Sequence, residues 1–220
     1  WKVNVKGTRN ITEACREIGA KMIFVSTDYV FDGKKEIYTE EDAPNPLNYY
    51  AKTKLEGERV VKEAGIDYVI ARPSVIYGWN PSELAGLQSS SGKPVNFVVW
   101  AIDKLKKKEK INIVTDQFSS PTLADNLAEV LLVLSKSGKQ GVYHTAGKTC
   151  INRFMFAKKI AEVFKLDESL IKPVTSDLFK QVAERPKRCC LDATKVEREL
   201  GVRFLTVEEG LMKMKEQMKG

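Results

Sequence analysis

Tyr50 and Lys54 are the pair of residues in this sequence best suited to acid chemistry. They lie four positions apart in a segment predicted to be helical, so their side chains project from one face. An ammonium beside a phenol favours the phenolate, and we expect Lys54 to lower the Tyr50 pKa from near 10 by roughly two units. The pair predicts proton transfer near neutral pH. In a lysine-rich chain the same spacing also arises by chance, with Lys54 only solvating the helix.

Thr27 is a second candidate because it follows a short apolar run, Met22 to Val25. Such a run of β-forming residues predicts a strand buried on both faces of a parallel sheet. Ligands of open parallel sheets bind at the carboxyl ends of the strands. We therefore expect Thr27, Tyr50 and Lys54 to surround one substrate carbonyl, although Thr27 alone also fits a strand-end cap.

Hydrophobic periodicity predicts the elements that must position these residues. It predicts helices at 11–18, 49–64, 96–105, 123–134 and 154–164, a last helix with a capping box at Thr206 and Glu209, and strands at 22–25, 68–71, 110–114 and 142–145. This order is typical of an α/β fold with a doubly wound parallel sheet. The Ser-, Gly- and Pro-rich stretch from Pro81 to Pro94 predicts a long loop where a second lobe begins.

Composition restricts the classes of function. The chain has 220 residues, a formal net charge of +7 and a pI near 9.1, and no run approaches the roughly 18 apolar residues of a membrane helix. The basic run from Lys104 to Lys110 lacks interleaved aromatic residues, so it favours the solvated end of a helix over a nucleic-acid contact. We expect no membrane and no nucleic-acid partner, and a cytoplasmic location.

The cysteines and the one histidine do not indicate a metal site. The four cysteines show neither metal-ligand spacing nor a secreted disulfide framework, which favours a reducing cytosol. Adjacent Cys189 and Cys190 are interpreted as packing residues. His144 lies in a predicted strand without suitable neighbours and is interpreted as structural.

Two segments carry a resemblance to a known family. Residues 26–33 (STDYVFDG) and 40–58 (EEDAPNPLNYYAKTKLEGE) closely resemble the active-site region of dTDP-4-dehydrorhamnose reductases, in the extended short-chain dehydrogenase/reductase superfamily. Shorter matches occur at 4–8, 72–78, 96–97, 116–122, 185–186 and 191–192, in the same order as in the family. The resemblance thus extends over almost the whole chain.

The resemblance implies a reaction and a division of roles. Its YxxxK motif and preceding hydroxyl residue correspond to Tyr50, Lys54 and Thr27, which are expected to be catalytic. A hydride from NADPH or NADH would reach the keto carbon of a nucleotide-linked sugar, with Tyr50 supplying the proton and Lys54 binding the nicotinamide ribose. The remaining cofactor-binding candidates, besides Tyr50 and Lys54, are Ser26, Arg72, Pro73 and Ser74.

The same resemblance implies four substrate-binding residues: Asp28, Asn96, Gln117 and Arg185. Asp28 would orient the sugar, and the other three would contact the substrate or its diphosphate. Each of these three has another interpretation: Asn96 as a helix cap, Gln117 as a loop residue and Arg185 as a surface charge.

The chain departs from the family pattern in two places. The N-terminal βαβ portion and its glycine-rich phosphate turn do not occur, which implies that about 60 upstream residues of a Rossmann-type domain are missing. Residues 1–78 then form the rest of the dinucleotide-binding domain, and 79–220 mostly a smaller α/β substrate lobe, with about 110–145 returning to the first domain. Val75 stands where these reductases usually have a tryptophan associated with sugar binding, so the identity of the sugar stays open.

Two other functions fit the same residues. A nucleotide-sugar 4-epimerase would keep its dinucleotide tightly bound. The chain also resembles the non-catalytic regulatory subunit of methionine adenosyltransferase, which would use the fold as a binding module. A nucleotide sugar is the expected partner in the enzymatic readings, and a homodimer is plausible on this fold.

Overall fold

The computed structural model describes residues 1–79, 96–179 and 182–219, so the predicted loop from Pro81 to Pro94 lies outside the described residues. A π-helical turn (Lys2–Gly7) leads into the first helix. The helices are α1 (Thr8–Ile18), α2 (Tyr49–Glu63), α3 (Phe97–Lys106), α4 (Ala124–Lys136), α5 (Arg153–Phe164), α6 (Thr194–Leu200) and α7 (Val207–Gln217). The strands are β1 (Met22–Val25), β2 (Tyr68–Arg72), β3 (Ile76–Tyr77), β4 (Ile111–Val114), β5 (Phe118–Ser119), β6 (Thr122–Leu123), β7 (Gly141–His144), β8 (Ile151–Asn152), β9 (Ile171–Val174) and β10 (Arg188–Cys189).

The central sheet is parallel, in the order β1-β2-β7. Val25 pairs with Ala71, and Arg72 pairs with His144, so the carboxyl ends of the strands meet at one edge. Alternate residues of β2 face opposite layers: Ile70 packs with Phe24 and Val61, and Val69 packs with residues of α4 and α6. Helices therefore cover both faces, and the predicted α/β class with a doubly wound parallel sheet is confirmed.

Close packing fixes the distance between α2 and β1. A Cβ atom at Gly57 would lie 2.7 Å from the Phe24 ring and 2.8 Å from the Asn4 carbonyl oxygen. Any side chain here would push α2 away from the sheet. A glycine at this position thus lets the helix that carries Tyr50 and Lys54 lie directly on β1.

A second core lies outside the central sheet. Apolar residues of α3, α5 and α7 pack against β4 and β9, which pair in parallel from Ile111 with Ile171 to Val114 with Val174. The basic run from Lys104 to Lys110 is the exposed end of α3 and the turn after it, where Lys104 and Lys107 pair with Glu109 and Asp103. The interpretation of this run as a solvated helix end agrees with the structure. No described helix combines the length and apolarity that crossing a membrane requires.

Local signals set the helix ends. Gly19 ends α1 in the left-handed conformation, and Asn48 caps α2 by accepting a hydrogen bond from the Ala51 amide. Thr206 and Glu209 form the predicted capping box of α7.

A small mixed sheet has the order β10-β5-β8, with β10 parallel and β8 antiparallel to β5. Because of these directions, the residues before β5 and β10 and the residue after β8 lie at one end of the sheet. At the other end, Cys150 and Cys190 form a disulfide with a Cα–Cα distance of 5.3 Å. The cysteine spacing therefore did not predict this bond, and the interpretation of Cys190 as a packing residue is wrong: β8 and β10 flank β5 and bring two distant cysteines together.

Reduction of this disulfide should lower stability. The bond links positions 40 residues apart, and restricting an unfolded loop of that length stabilises the folded state by about 4 kcal/mol in the chain-entropy treatment. We expect Cys150→Ser, or wild type under dithiothreitol, to lose most of this free energy of unfolding in urea titrations. Cys15→Ser, outside the disulfide, is the control. Equal midpoints with and without reductant would contradict the prediction.

Candidate active site

The carboxyl end of β1 forms the base of the candidate site. Thr27 is extended, with φ of −158°, and its hydroxyl accepts a hydrogen bond from the Tyr29 amide at 3.2 Å. This contact starts a 3₁₀ turn, Asp28–Val30, which turns the chain away from the sheet edge. Thr27 therefore caps this turn, in agreement with its interpretation as a strand-end cap. Its hydroxyl is also within hydrogen-bonding reach of the Tyr50 phenol.

Tyr50 lies in the first turn of α2, where its phenol faces Thr27. Its side chain is 50% exposed, whereas Thr27 is 8% exposed. Partial burial raises the Tyr50 pKa above its usual value of 10, the Thr27 hydroxyl lowers it, and the charge of Asp28 raises it. The phenol therefore holds its proton at neutral pH.

Lys54 lies one turn further along α2, beneath Tyr50. Its ammonium donates a hydrogen bond to the Val25 carbonyl at 2.6 Å and lies 4.3 Å from the centre of the Phe24 ring. Burial lowers the Lys54 pKa, and the charge of Glu58 raises it. The expectation that Lys54 lowers the Tyr50 pKa is not met, because the ammonium is directed at Val25 and Phe24 and burial sets the net direction for the phenol.

A buried ion pair lies behind these groups. Glu58 is fully buried on α2; it accepts a hydrogen bond from the Ser26 hydroxyl at 2.5 Å and two from Arg72, at 2.9 and 2.6 Å. Ser26 and Arg72 are expected from sequence to contact the cofactor. The Ser26 hydroxyl and the Nε and Nη2 groups of Arg72 bond to Glu58 in the interior, whereas Arg72 Nη1 is buried without a partner among the described residues; cofactor contacts by these two side chains stay a prediction.

Asp28 and Ser74 form a second buried contact at the same edge. The Ser74 hydroxyl donates to Asp28 at 2.6 Å, and the Thr27 hydroxyl donates to the other carboxylate oxygen at 3.1 Å. The Pro73 carbonyl accepts from the Asp28 amide at 3.0 Å. Burial raises the Asp28 pKa to about 6, against the lowering effect of these hydroxyls and of Arg153. Ser74 and Pro73 thus hold Asp28 beside Thr27.

Backbone strain follows directly after Ser74. Val75 has φ of +37°, a region that β-branched residues avoid. Its carbonyl accepts from the Thr122 amide at 3.1 Å, and its side chain packs against the second core. Strain of this kind is held in place by surrounding contacts, and here it redirects the chain between the site and β3.

Asn96 is the N-cap of α3. Its side-chain oxygen accepts from the amides of Val98 and Val99 at 3.0 and 3.4 Å, and its amide group donates to the Gly78 carbonyl. The helix-cap interpretation of Asn96 is therefore confirmed, and its expected substrate role stays a prediction.

Gln117, Arg153 and Arg185 lie at one end of the small β10-β5-β8 sheet. Gln117 and Arg185 line a cavity of about 440 Å³, and Gln117 also lines a smaller one together with Arg153 and Asp28. Arg153 carries its guanidinium 4.6 Å from the Phe97 ring centre, and its pKa is lowered by burial and by the charge of Arg185. Arg153 thus lies beside Asp28, Arg185 lies at the larger cavity, and Gln117 lines both.

Sequence reasoning did not identify Arg153. The available signal was an arginine at the predicted start of α5, where the helix dipole disfavours a cation. His144, in contrast, is fully buried, and burial and Arg72 lower its pKa to about 3. It stays neutral, in agreement with its structural interpretation.

Comparison with known proteins identifies the family to which this chain is similar. Residues 1–219 match the family described as "RmlD substrate binding domain". A probable low-salt glycan biosynthesis reductase, Agl14, of Haloferax volcanii is 34% identical over 95% of this chain and 67% of its own length. Methionine adenosyltransferase 2 subunit beta of Rattus norvegicus is 35% identical over 89% of this chain and 57% of its own length.

A solved structure supports the same family. The dTDP-4-dehydrorhamnose reductase of Bacillus anthracis, in complex with NADP, has a TM-score of 0.86 and 32% identity over 97% of this chain and 72% of that one. The expected cofactor class, NADP or NAD, and the expected class of NAD(P)-dependent oxidoreductase are confirmed at the level of the family. This chain belongs to the RmlD substrate-binding-domain family, the family of the dTDP-4-dehydrorhamnose reductases.

Proposed function

We propose that this protein reduces a nucleotide-linked 4-keto sugar with NADPH or NADH, and that Tyr50 donates the proton. The observation that supports this most directly is the placement of the Tyr50 phenol at Thr27, with Lys54 one helical turn away. A phenol, a hydroxyl and an ammonium at the carboxyl ends of parallel strands can together bind and protonate a carbonyl oxygen.

The residues present fit a nicotinamide nucleotide. Lys54 uses one of its three donors on Val25, and the described residues offer its ammonium no second hydrogen-bond acceptor. Its remaining donors suit the hydroxyl groups of a ribose. When bound, the reduced nicotinamide supplies the hydride.

The residues of this chain supply the proton and orient the substrate. Tyr50 Oη donates its proton to the oxygen of the keto group, while the Thr27 hydroxyl rotates away from Asp28 and donates its hydrogen bond to the same oxygen. The raised pKa of Tyr50 suits this direction of reaction, because the phenol is protonated before the reaction. Lys54, whose ammonium is directed at Val25 and Phe24, is proposed to bind the nicotinamide ribose and thereby to position the cofactor beside Tyr50.

The substrate is proposed to extend from Asp28 towards the larger cavity. The Asp28 carboxylate accepts hydrogen bonds from sugar hydroxyls, and Arg185 with Gln117 faces the anionic diphosphate from the cavity that they line. We also propose the division into a dinucleotide-binding part, 1–78, and a substrate lobe. A homodimer and a cytoplasmic location stay predictions.

The similarity to the rat methionine adenosyltransferase subunit favours one other function, a binding module without turnover. That function predicts binding of a dinucleotide and a partner protein, with no consumption of NADPH. A 4-epimerase would instead retain NAD through purification and convert one sugar into its epimer.

Tyr50→Phe tests the proton donor. We expect kcat for reduction of a dTDP-4-keto sugar to fall by about 10²–10⁴-fold, because the phenylalanine cannot protonate the carbonyl oxygen. Loss of NADPH absorbance measures the rate, and circular dichroism monitors the fold. Tyr49→Phe, on the same helix and 66% exposed, is the matched control. Wild-type turnover in Tyr50→Phe would exclude the assignment.

Asp28 should make stability depend on pH. Its pKa rises from 3.8 unfolded to about 6 folded, which corresponds to about 3 kcal/mol. Since the folded state binds the proton more tightly, this stability is present below pH 3.8 and is lost as the pH rises through about 6. We expect urea titrations of wild type to show this loss between pH 4 and 7.

Asp28→Asn is the comparison, since it lacks the carboxyl group and should show a flatter pH dependence. It should also raise KM for the sugar nucleotide, because an amide is a weaker acceptor for sugar hydroxyls than a carboxylate. Parallel stability curves for the two proteins across this range would contradict the raised pKa.

A further inference from the structure

Glu58 is the buried charge that the proposed reaction leaves without a role. It is fully buried, and its carboxylate is hydrogen-bonded by Ser26 at 2.5 Å and by Arg72 at 2.9 and 2.6 Å. Arg72 is 2% exposed, with its guanidinium carbon 5.2 Å from the Phe31 ring centre. The chain thus places a complete ion pair in its interior, directly behind the candidate site.

Stability alone does not explain such a pair. Removing two charges from water is unfavourable, and apolar residues of similar volume often replace a buried ion pair with equal or greater stability. Two facing apolar residues would also leave no buried charge to satisfy. The position of the pair between α2 and the strands therefore indicates a role other than stability.

The contacts connect α2 to two strand ends. Glu58 lies one turn after Lys54 and two turns after Tyr50, on the same side of the helix. Ser26 directly precedes Thr27, and Arg72 directly precedes the Pro73–Ser74 pair that holds Asp28. One carboxylate thereby sets the position of α2 along β1 and β2 together.

We propose that Glu58 is a positioning residue for the reaction proposed above: its carboxylate, bonded to Ser26 and Arg72, holds Tyr50 and Lys54 in register with Thr27. Apolar packing against Phe24 fixes how near α2 lies to the sheet, but a smooth apolar contact permits sliding along the helix axis. Directional hydrogen bonds to two strands oppose that sliding.

The charge of Glu58 has a second effect, on Lys54. On α2, the charge of Glu58 raises the Lys54 pKa, and Tyr50 is the other titratable neighbour. The groups that β1 places near the Lys54 ammonium, the Val25 carbonyl and the Phe24 ring, are uncharged. The turn before α1 contributes Asn4, which is also uncharged and bonds to Thr53. Among the described residues, Glu58 is the one charge that shifts Lys54 against the effect of burial. Loss of this charge should lower the Lys54 pKa further.

Two single variants separate position from charge. Glu58→Asp keeps the charge and shortens the side chain by one methylene, so kcat should fall while the Lys54 titration stays close to wild type. Glu58→Gln keeps the length and removes the charge, so the Lys54 titration should move to lower pH. The titration is measured by NMR of ¹³C-labelled lysine side chains, with the Lys54 signal assigned by its loss in Lys54→Arg.

A double variant guards against unfolding, since either single change leaves part of a buried pair uncompensated. Glu58→Leu with Arg72→Met replaces the pair with apolar groups and should fold. We expect its kcat to fall at least about 10-fold, as misplacement of reacting groups on the ångström scale costs up to about 10²-fold. If loss of the Lys54 proton ends activity at high pH, kcat/KM of the double variant should also begin to fall at a lower pH than in wild type. Glu63→Gln, an exposed carboxylate on the same helix, is the control.

The outcomes decide the proposal separately from the reaction. A folded double variant with wild-type kcat would falsify the positioning role, whereas a Lys54 titration unchanged in Glu58→Gln would contradict the effect of the Glu58 charge on Lys54. If wild type consumes no NADPH with any keto sugar, the proposed function fails, and the NMR titration alone then decides whether Glu58 acts on Lys54.

Discussion

A buried carboxylate must have its oxygens paired, and in this protein Glu58 meets that requirement with groups from two different strands. The consequence is geometric. Because Ser26 and Arg72 each sit one residue before a part of the site, pairing the carboxylate also fixes the helix that carries the phenol and the ammonium. The chemistry of the edge therefore depends on an interaction that itself never meets the substrate.

The site separates its charges by depth. Arg72 and Glu58 neutralise each other in the interior, Lys54 lies between the sheet and the helix surface, and Arg185 is exposed at the cavity. Asp28 is buried among hydroxyl groups, with Arg153 close by but no direct ion pair in the described residues. Burial outweighs the lowering effect of these hydroxyl groups and of Arg153, so the proton affinity of Asp28 is higher than that of a surface carboxylate.

Much of the fold follows from local patterns in the sequence. Short apolar runs predicted the strands β1, β2 and β7. The end of α1 at Gly19 and the capping box of α7 were also predictable, since each depends on residues close together in the sequence. The shared face of Tyr50 and Lys54 likewise follows from helical spacing.

Other features depend on contacts between distant segments and were out of reach. The Cys150–Cys190 bond requires the pairing of β5 with both β8 and β10. Strands of two residues are too short to show a periodic pattern in the sequence, so this pairing could not be predicted. The direction of the Tyr50 pKa shift depends on burial of the phenol, not on the lysine four positions away. Asn96 and Arg153 show the same limit, because a polar residue at a helix start can cap the helix or face a cavity.

Gly57 has a consequence for changing this enzyme class by mutation. The position tolerates no side chain, because Phe24 and the Asn4 carbonyl occupy the volume that a methyl group would need. Phe24 also carries the Lys54 ammonium on its ring, so a larger residue would disturb the amine along with the helix. A library that randomises this helix should therefore yield mostly inactive clones.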